Sequence, residues 1–127
     1  MNIAEKISDS EAEIMKIIWA HDSPMTYAQI RAVLNRETDW ESQTINTLVK
    51  RLVNKSALKQ EKKEVYYYSA LVKEAEYMEA KTTSFIQKVY SGNVKGLLAA
   101  LVENENIKQE DFDALKEFWE KGRDKDD

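Results

Sequence analysis

Trp40-Glu41-Ser42-Gln43-Thr44-Ile45-Asn46-Thr47-Leu48-Val49-Lys50-Arg51-Leu52-Val53-Asn54-Lys55 is the stretch that decides the fold. Ile45, Leu48, Val49, Leu52 and Val53 recur at i, i+3, i+4, i+7 and i+8, the period of a helix with one buried stripe. The opposite face carries Gln43, Asn46, Thr47, Lys50 and Asn54, with Ser42 and Arg51 on its shoulders. Its one carboxylate is Glu41, at the start. An ordinary solvated helix mixes both charge signs. This one offers hydrogen-bonding side chains first and cations later, which suits a helix laid into a DNA major groove.

The charge distribution around that stretch points the same way. The chain of 127 residues has a net charge of −4, which by itself argues against a polyanionic partner. Residues 41–63, however, hold six Lys/Arg against two Asp/Glu, whereas residues 1–40 hold four against seven and residues 64–127 nine against fourteen. A basic island between acidic flanks leaves one segment suited to nucleic acid.

Only three Gly and one Pro leave little room for loops, so long helices should dominate. Ser8 and Glu11 have capping-box spacing ahead of the apolar side Ile14, Met15, Ile17, Ile18 and Trp19. That helix should stop near His21-Asp22-Ser23-Pro24. Thr26 can cap a second helix with Ile30, Val33 and Leu34 facing inward. After the third helix the period changes. Ala57–Gln60 and Val65–Ser69 read as two strands around the charged tip Glu61-Lys62-Lys63-Glu64. Three helices with the third basic, then a hairpin, is the order of a winged helix-turn-helix. Period-2 alternation in Tyr66-Tyr67-Tyr68 would bury Tyr67 and expose its neighbours, or the reverse. Packing of one face against the third helix is favoured over base stacking, and Trp40 reads as an anchor for that helix.

From residue 72 three further apolar stripes follow, including Met78, Phe85, Ile86, Val89 and Tyr90; Val94, Leu97, Leu98, Leu101 and Val102; and Phe112, Leu115, Phe118 and Trp119. Ser91-Gly92-Asn93 separates the first two. Three helices of this size hold more apolar surface than they can hide alone, and a symmetric homodimer is the commonest remedy. The fold class expected is mainly α: a winged helix-turn-helix DNA-binding domain over residues 1–71, then a helical dimerisation domain over 72–122. A disordered tail is expected over 123–127.

Catalytic and metal chemistry find no support. With no cysteine and His21 as the single histidine, neither thiolate nor histidine-based metal sites can form, and no cofactor or metal is expected. Glycines at 92, 96 and 122 do not make a phosphate loop. Ser42, Ser69, Ser84 and Ser91 lack elbow glycines and a second histidine. An enzyme is not expected. Residues 1–20 do not have the make-up of a signal peptide, and no apolar stretch approaches the roughly 20 residues of a membrane span, so a cytoplasmic location without membrane contact is expected.

Four stretches in order resemble the BlaI/MecI/CopY family of bacterial penicillinase-type repressors. They are Ile7–Trp19, Trp40–Leu52, Val65–Ala70 and Phe85–Gly92, similar respectively to that family's opening helix, recognition helix, wing and start of the dimerisation region. The resemblance implies a homodimeric repressor on a palindromic operator in double-stranded DNA, with TACA/TGTA-like half-sites. By position it implies that Gln43, Thr44, Asn46 and Thr47 face bases. Ser42, Lys50, Arg51, Lys55, Lys62 and Lys63 would hold phosphates, and Phe85, Ile86, Val89, Leu97, Leu98, Leu101, Phe112, Leu115, Phe118 and Trp119 would form the dimer. Gln43 and Asn46 stand where several relatives carry other polar or basic side chains; both prefer the adenine edge, which suggests an A·T-rich half-site.

Two departures concern control. Copper-responsive members carry paired Cys-x-Cys motifs, absent here. Members relieved by cleavage of an Asn-Phe bond have Ala100-Leu101 as the counterpart here, so an inactivating protease or an unidentified inducer stays open as a further partner. The competing class is a winged-helix protein-interaction module without sequence-specific DNA binding, because fold alone does not settle function.

Overall fold

Helix start signals in the sequence are realised as hydrogen bonds. In the computed structural model, which describes residues 2–126 with side chains as far as residue 122, a 3-10 turn at Ile3–Lys6 leads into α1 (Asp9–Trp19). The Ser8 hydroxyl accepts from the Glu11 amide, and the Glu11 carboxylate accepts from the Ser8 amide. Thr26 and Gln29 repeat this box at α2 (Tyr27–Glu37). The third helix, α3 (Ser42–Asn54), is two residues shorter at its start than the apolar pattern suggested, and Glu41 at its N-cap makes no capping hydrogen bond.

The sheet has three strands where two were expected, the added one preceding α2. Met25–Thr26 (β1), Leu58–Lys62 (β2) and Tyr66–Ala70 (β3) form an antiparallel sheet in the order β1-β3-β2. Met25 pairs with Tyr68, and Leu58 with Ala70 through Lys62 with Tyr66. The hairpin tip is therefore residues 63–65, and Lys62 belongs to a strand. Tyr68 is buried (6% exposed) and Tyr66 is open (45%), with Tyr67 between them. Neither alternation pattern holds: exposure falls steadily from Tyr66 through Tyr67 to Tyr68.

The core lies where α1, α2 and α3 meet the sheet. Ile14, Met15 and Ile18 meet Ile30 and Leu34, Ile45, Leu48, Val49 and Leu52, and Leu58 with Tyr68. Burying each such side chain contributes about 1.5–3 kcal/mol, so the α3 stripe is fixed to the domain by four residues. Trp40 is partly buried against this core, as an anchor should be.

The last helices are α4 (Glu74–Tyr90), α5 (Val94–Glu103) and α6 (Gln109–Asp126). The chain divides into two compact units, residues 1–84 and 85–127. The first extends past residue 71 because α4 begins by packing on the winged unit. Tyr77 and Ala80 are buried there, the Trp19 indole donates to Val72 O at 2.8 Å, and the Trp19 and Tyr77 rings lie 5.4 Å apart. Between α4 and α5, Ser91 and Gly92 both have positive φ (50° and 83°), which glycine adopts without steric cost. α6 carries a helical backbone through 123–126, where a tail was expected; Asp127 lies outside the described residues. Among the described residues no helix is long and apolar enough to cross a membrane.

Candidate nucleic-acid interface

Burial of Ile45, Leu48, Val49 and Leu52 forces the other side of α3 outward. Ser42, Gln43, Thr44, Asn46, Thr47, Lys50 and Arg51 are all exposed. Gln43, Thr44, Asn46, Lys50 and Arg51 make no side-chain hydrogen bond or ion pair among the described residues. Their full hydrogen-bonding capacity faces out. Glu41, Gln43, Thr44, Thr47 and Arg51 edge one concavity, while Asn46 joins Tyr27, Val65 and Tyr66 in lining another between α3 and the wing.

Two of the hydroxyls have local partners, which narrows what they can offer. Thr47 donates to Gln43 O at 2.9 Å, so it presents a methyl group and lone pairs outward. The Tyr27 phenol donates to Ser42 O at 2.8 Å and lies 3.1 Å from Ser42 Oγ. The tyrosine has one proton, so the Ser42 hydroxyl donates back to it.

The wing presents cations on aromatic faces. Lys62 Nζ lies 5.9 Å from the Tyr66 ring centre and Lys63 Nζ 5.6 Å from that of Tyr67. A contact of this kind, worth about 0.5–1 kcal/mol at an exposed site, narrows the range of a lysine without neutralising it.

Lys55 behaves differently from the other basic residues of its segment. Its ammonium donates to the Glu11 carboxylate at 2.6 Å and to Lys6 O at 2.8 Å, which ties the end of α3 to the start of α1. Burial alone would push the Glu11 carboxyl up. Hydrogen bonds from Lys55 and Ser8, with the Lys55 charge, outweigh it and hold the carboxyl below its usual value. Sequence reasoning placed Lys55 among phosphate ligands and missed this pair. The signal was available as a buried-side glutamate at a capping position, which needs a cation, but its partner 44 residues away could not be read.

In the second unit none of the expected dimer residues is buried. Phe85, Val89, Leu98, Phe112, Leu115, Phe118 and Trp119 are exposed, Phe118 at 78%, and Ile86, Leu97 and Leu101 are half-buried. The Phe85 and Tyr90 rings are 5.8 Å apart. Ala100-Leu101 lies inside α5, in helical backbone and not in an open loop. Among the described residues no cluster of His, Cys, Asp and Glu could hold a metal.

Comparison with known proteins gives these features a common origin. The family described as Penicillinase repressor matches residues 7–121. The penicillinase repressor of Bacillus licheniformis is 34% identical over 116 residues, covering 91% of this chain and 90% of that protein. The methicillin resistance regulatory protein MecI of Staphylococcus aureus is 31% identical over 124 residues, covering 94% and 98%. Among solved structures, the DNA-binding domain of the repressor BlaI is 35% identical with a TM-score of 0.54, covering 61% of this chain and 94% of that one. Monomeric Bacillus licheniformis BlaI in complex with the blaP half-operator is 36% identical with a TM-score of 0.50, covering 56% and 87%. The chain thus belongs to the penicillinase repressor family, whose members are transcriptional repressors and not enzymes.

Proposed function

We propose that the chain is a homodimeric transcriptional repressor that binds a palindromic operator, with α3 in the major groove and the wing on the flanking backbone. One observation carries this reading. The outward face of α3 has no carboxylate from Ser42 to Asn54, and its Gln, Asn, Lys and Arg side chains are uncommitted, on a helix locked down by its other face. Similarity to a BlaI protein solved with a half-operator supports it. Gln43, Thr44 and Asn46 are the base readers, with Thr47 offering its methyl group to a thymine. Lys50, Arg51, Lys62 and Lys63 hold phosphates and set register. The exposed apolar side chains of the second unit make the dimer, which would present two α3 helices about 34 Å apart. A cytoplasmic location follows from an operator as target.

Mobility-shift titration against the protein's own promoter region, repeated across salt, tests the reading. A preferred site should persist when competitor duplex is added. Binding that only follows ionic strength would overturn it and favour the protein-interaction alternative. Two substitutions separate the assigned roles. Asn46→Ala is expected to weaken specific binding about 5- to 100-fold and to relax preference at one base position. Lys62→Ala should weaken binding to every duplex alike and make the slope of log K on log salt shallower by about one. Identical behaviour of the two variants would refute the division into readers and clamps.

A further inference from the structure

Helices α1 and α2 each begin with a complete capping box, whereas α3, the helix with the outward polar face, begins with none. A helix start without a side-chain cap frays readily, and the first turn of α3 carries Gln43 and Thr44. The structure holds that turn from outside. Tyr27, the first residue of α2, is partly buried against the core, and its hydroxyl bridges to the carbonyl and hydroxyl of Ser42 at 2.8 and 3.1 Å. Thr26, its neighbour, is fixed twice over, by its capping box and by pairing with Tyr67 in the sheet. Tyr27 also lines the cleft that contains Asn46, so the same residue adjoins the reading face at a second place.

We propose that Tyr27 is a positioning residue for operator recognition, acting through Ser42 to set the start of α3 and with it the angle at which Gln43, Thr44 and Asn46 meet the bases. This rests on the DNA-binding reading above. Through β1, whose Thr26 pairs with Tyr67, the phenol is tied to the strand β3 of the wing, so helix and wing share one reference point. Removal of the hydroxyl leaves the ring, the core and every cation in place. It therefore acts on the fit to base edges and leaves phosphate attraction untouched.

The test uses the full-length protein with two duplexes: a site selected from a random pool by the wild type, and a scrambled duplex of the same length. Tyr27→Phe is expected to lower affinity for the selected site about 3- to 10-fold, with binding to the scrambled duplex, its salt slope and the thermal midpoint all close to wild type. Ser42→Ala should give a smaller loss, and the double variant should lose no more than Tyr27→Phe alone, because both changes remove the same bridge. Unchanged affinity of Tyr27→Phe for the selected site overturns the inference while leaving the repressor reading intact. So does a lowered thermal midpoint without lost specificity. Additive losses in the double variant would place the two hydroxyls separately on DNA and overturn it as well. A wild type that selects no site overturns both the inference and the repressor reading.

Discussion

Leu115→Asp combined with Phe118→Asp is expected to convert the protein to a monomer and to weaken binding to a full palindrome by about 100-fold or more. The two side chains are three residues apart on α6, hence on one face, and both are exposed in the single chain. Charging them removes little packing within the chain, so the winged unit should keep its thermal midpoint. Between two chains the same change buries four carboxylates against an apolar face, each at a cost of several kcal/mol. Affinity for a half-site should remain, since α3 and the wing are untouched. What disappears is the effective concentration that makes the second half-site an intramolecular partner, a factor of roughly 10²–10⁴. Sedimentation at micromolar concentration, together with mobility shifts on full and half-sites, checks both parts. A variant that stays dimeric would move the interface away from α6.

Lys55→Met should destabilise the winged unit by about 3 kcal/mol at neutral pH, because it strands a carboxylate that is 1% exposed. For a unit of this size that is a fall of about 10–20 °C in thermal midpoint. Glu11→Gln should cost less, about 1 kcal/mol. It keeps an oxygen for the Ser8 amide, and the Lys55 side chain left behind is 31% exposed and can reach water. The pH dependence fixes the interpretation. In the wild type the Glu11 carboxyl lies below its unfolded value, so its contribution to stability is complete above about 4.5 and is lost as pH falls through the folded value. The gap between wild type and Lys55→Met should therefore be widest near neutrality and narrow on acidification. A gap independent of pH would mean that Lys55 acts by packing alone. DNA affinity per folded molecule should change little, in contrast to Lys50→Ala or Arg51→Ala; a loss of affinity as large as theirs would keep Lys55 among the phosphate ligands.

The parts of this fold that the sequence discloses are those with a local cause. The α3 stripe follows from a period of 3.6, the Ser8/Glu11 start signal from a spacing of three residues, and the Thr26 start signal from its residue type. The polar face was legible for the same reason, since it is what remains once the stripe is buried. Features with a distant cause were hidden. Strand β1 is two residues long and exists because Met25 lies beside Tyr68, far along the chain. Whether Lys55 meets a phosphate or a glutamate depends on where α1 lies in space. The extension of the first unit into α4 depends on Trp19 reaching Val72 and Tyr77. At the site itself, charge and polarity identified which residues face out. They did not show that the hydroxyls of Ser42 and Thr47 already have partners, because that turns on the rotamers of Tyr27 and Thr47.

The strand order β1-β3-β2 has a consequence for solubility. One open border of the sheet is β1, too short to template a neighbour, and the other is β2, whose exposed residues include Lys59, Glu61 and Lys62. A short, charged border resists recruitment into the intermolecular ladders that lead to fibrils. A cell making this protein in quantity would thus face little risk from its strands. Any insoluble material should arise from the sticky C-terminal helices, and a chain truncated after Ser84 should stay dispersed at concentrations where the intact one, if deprived of a mate, precipitates.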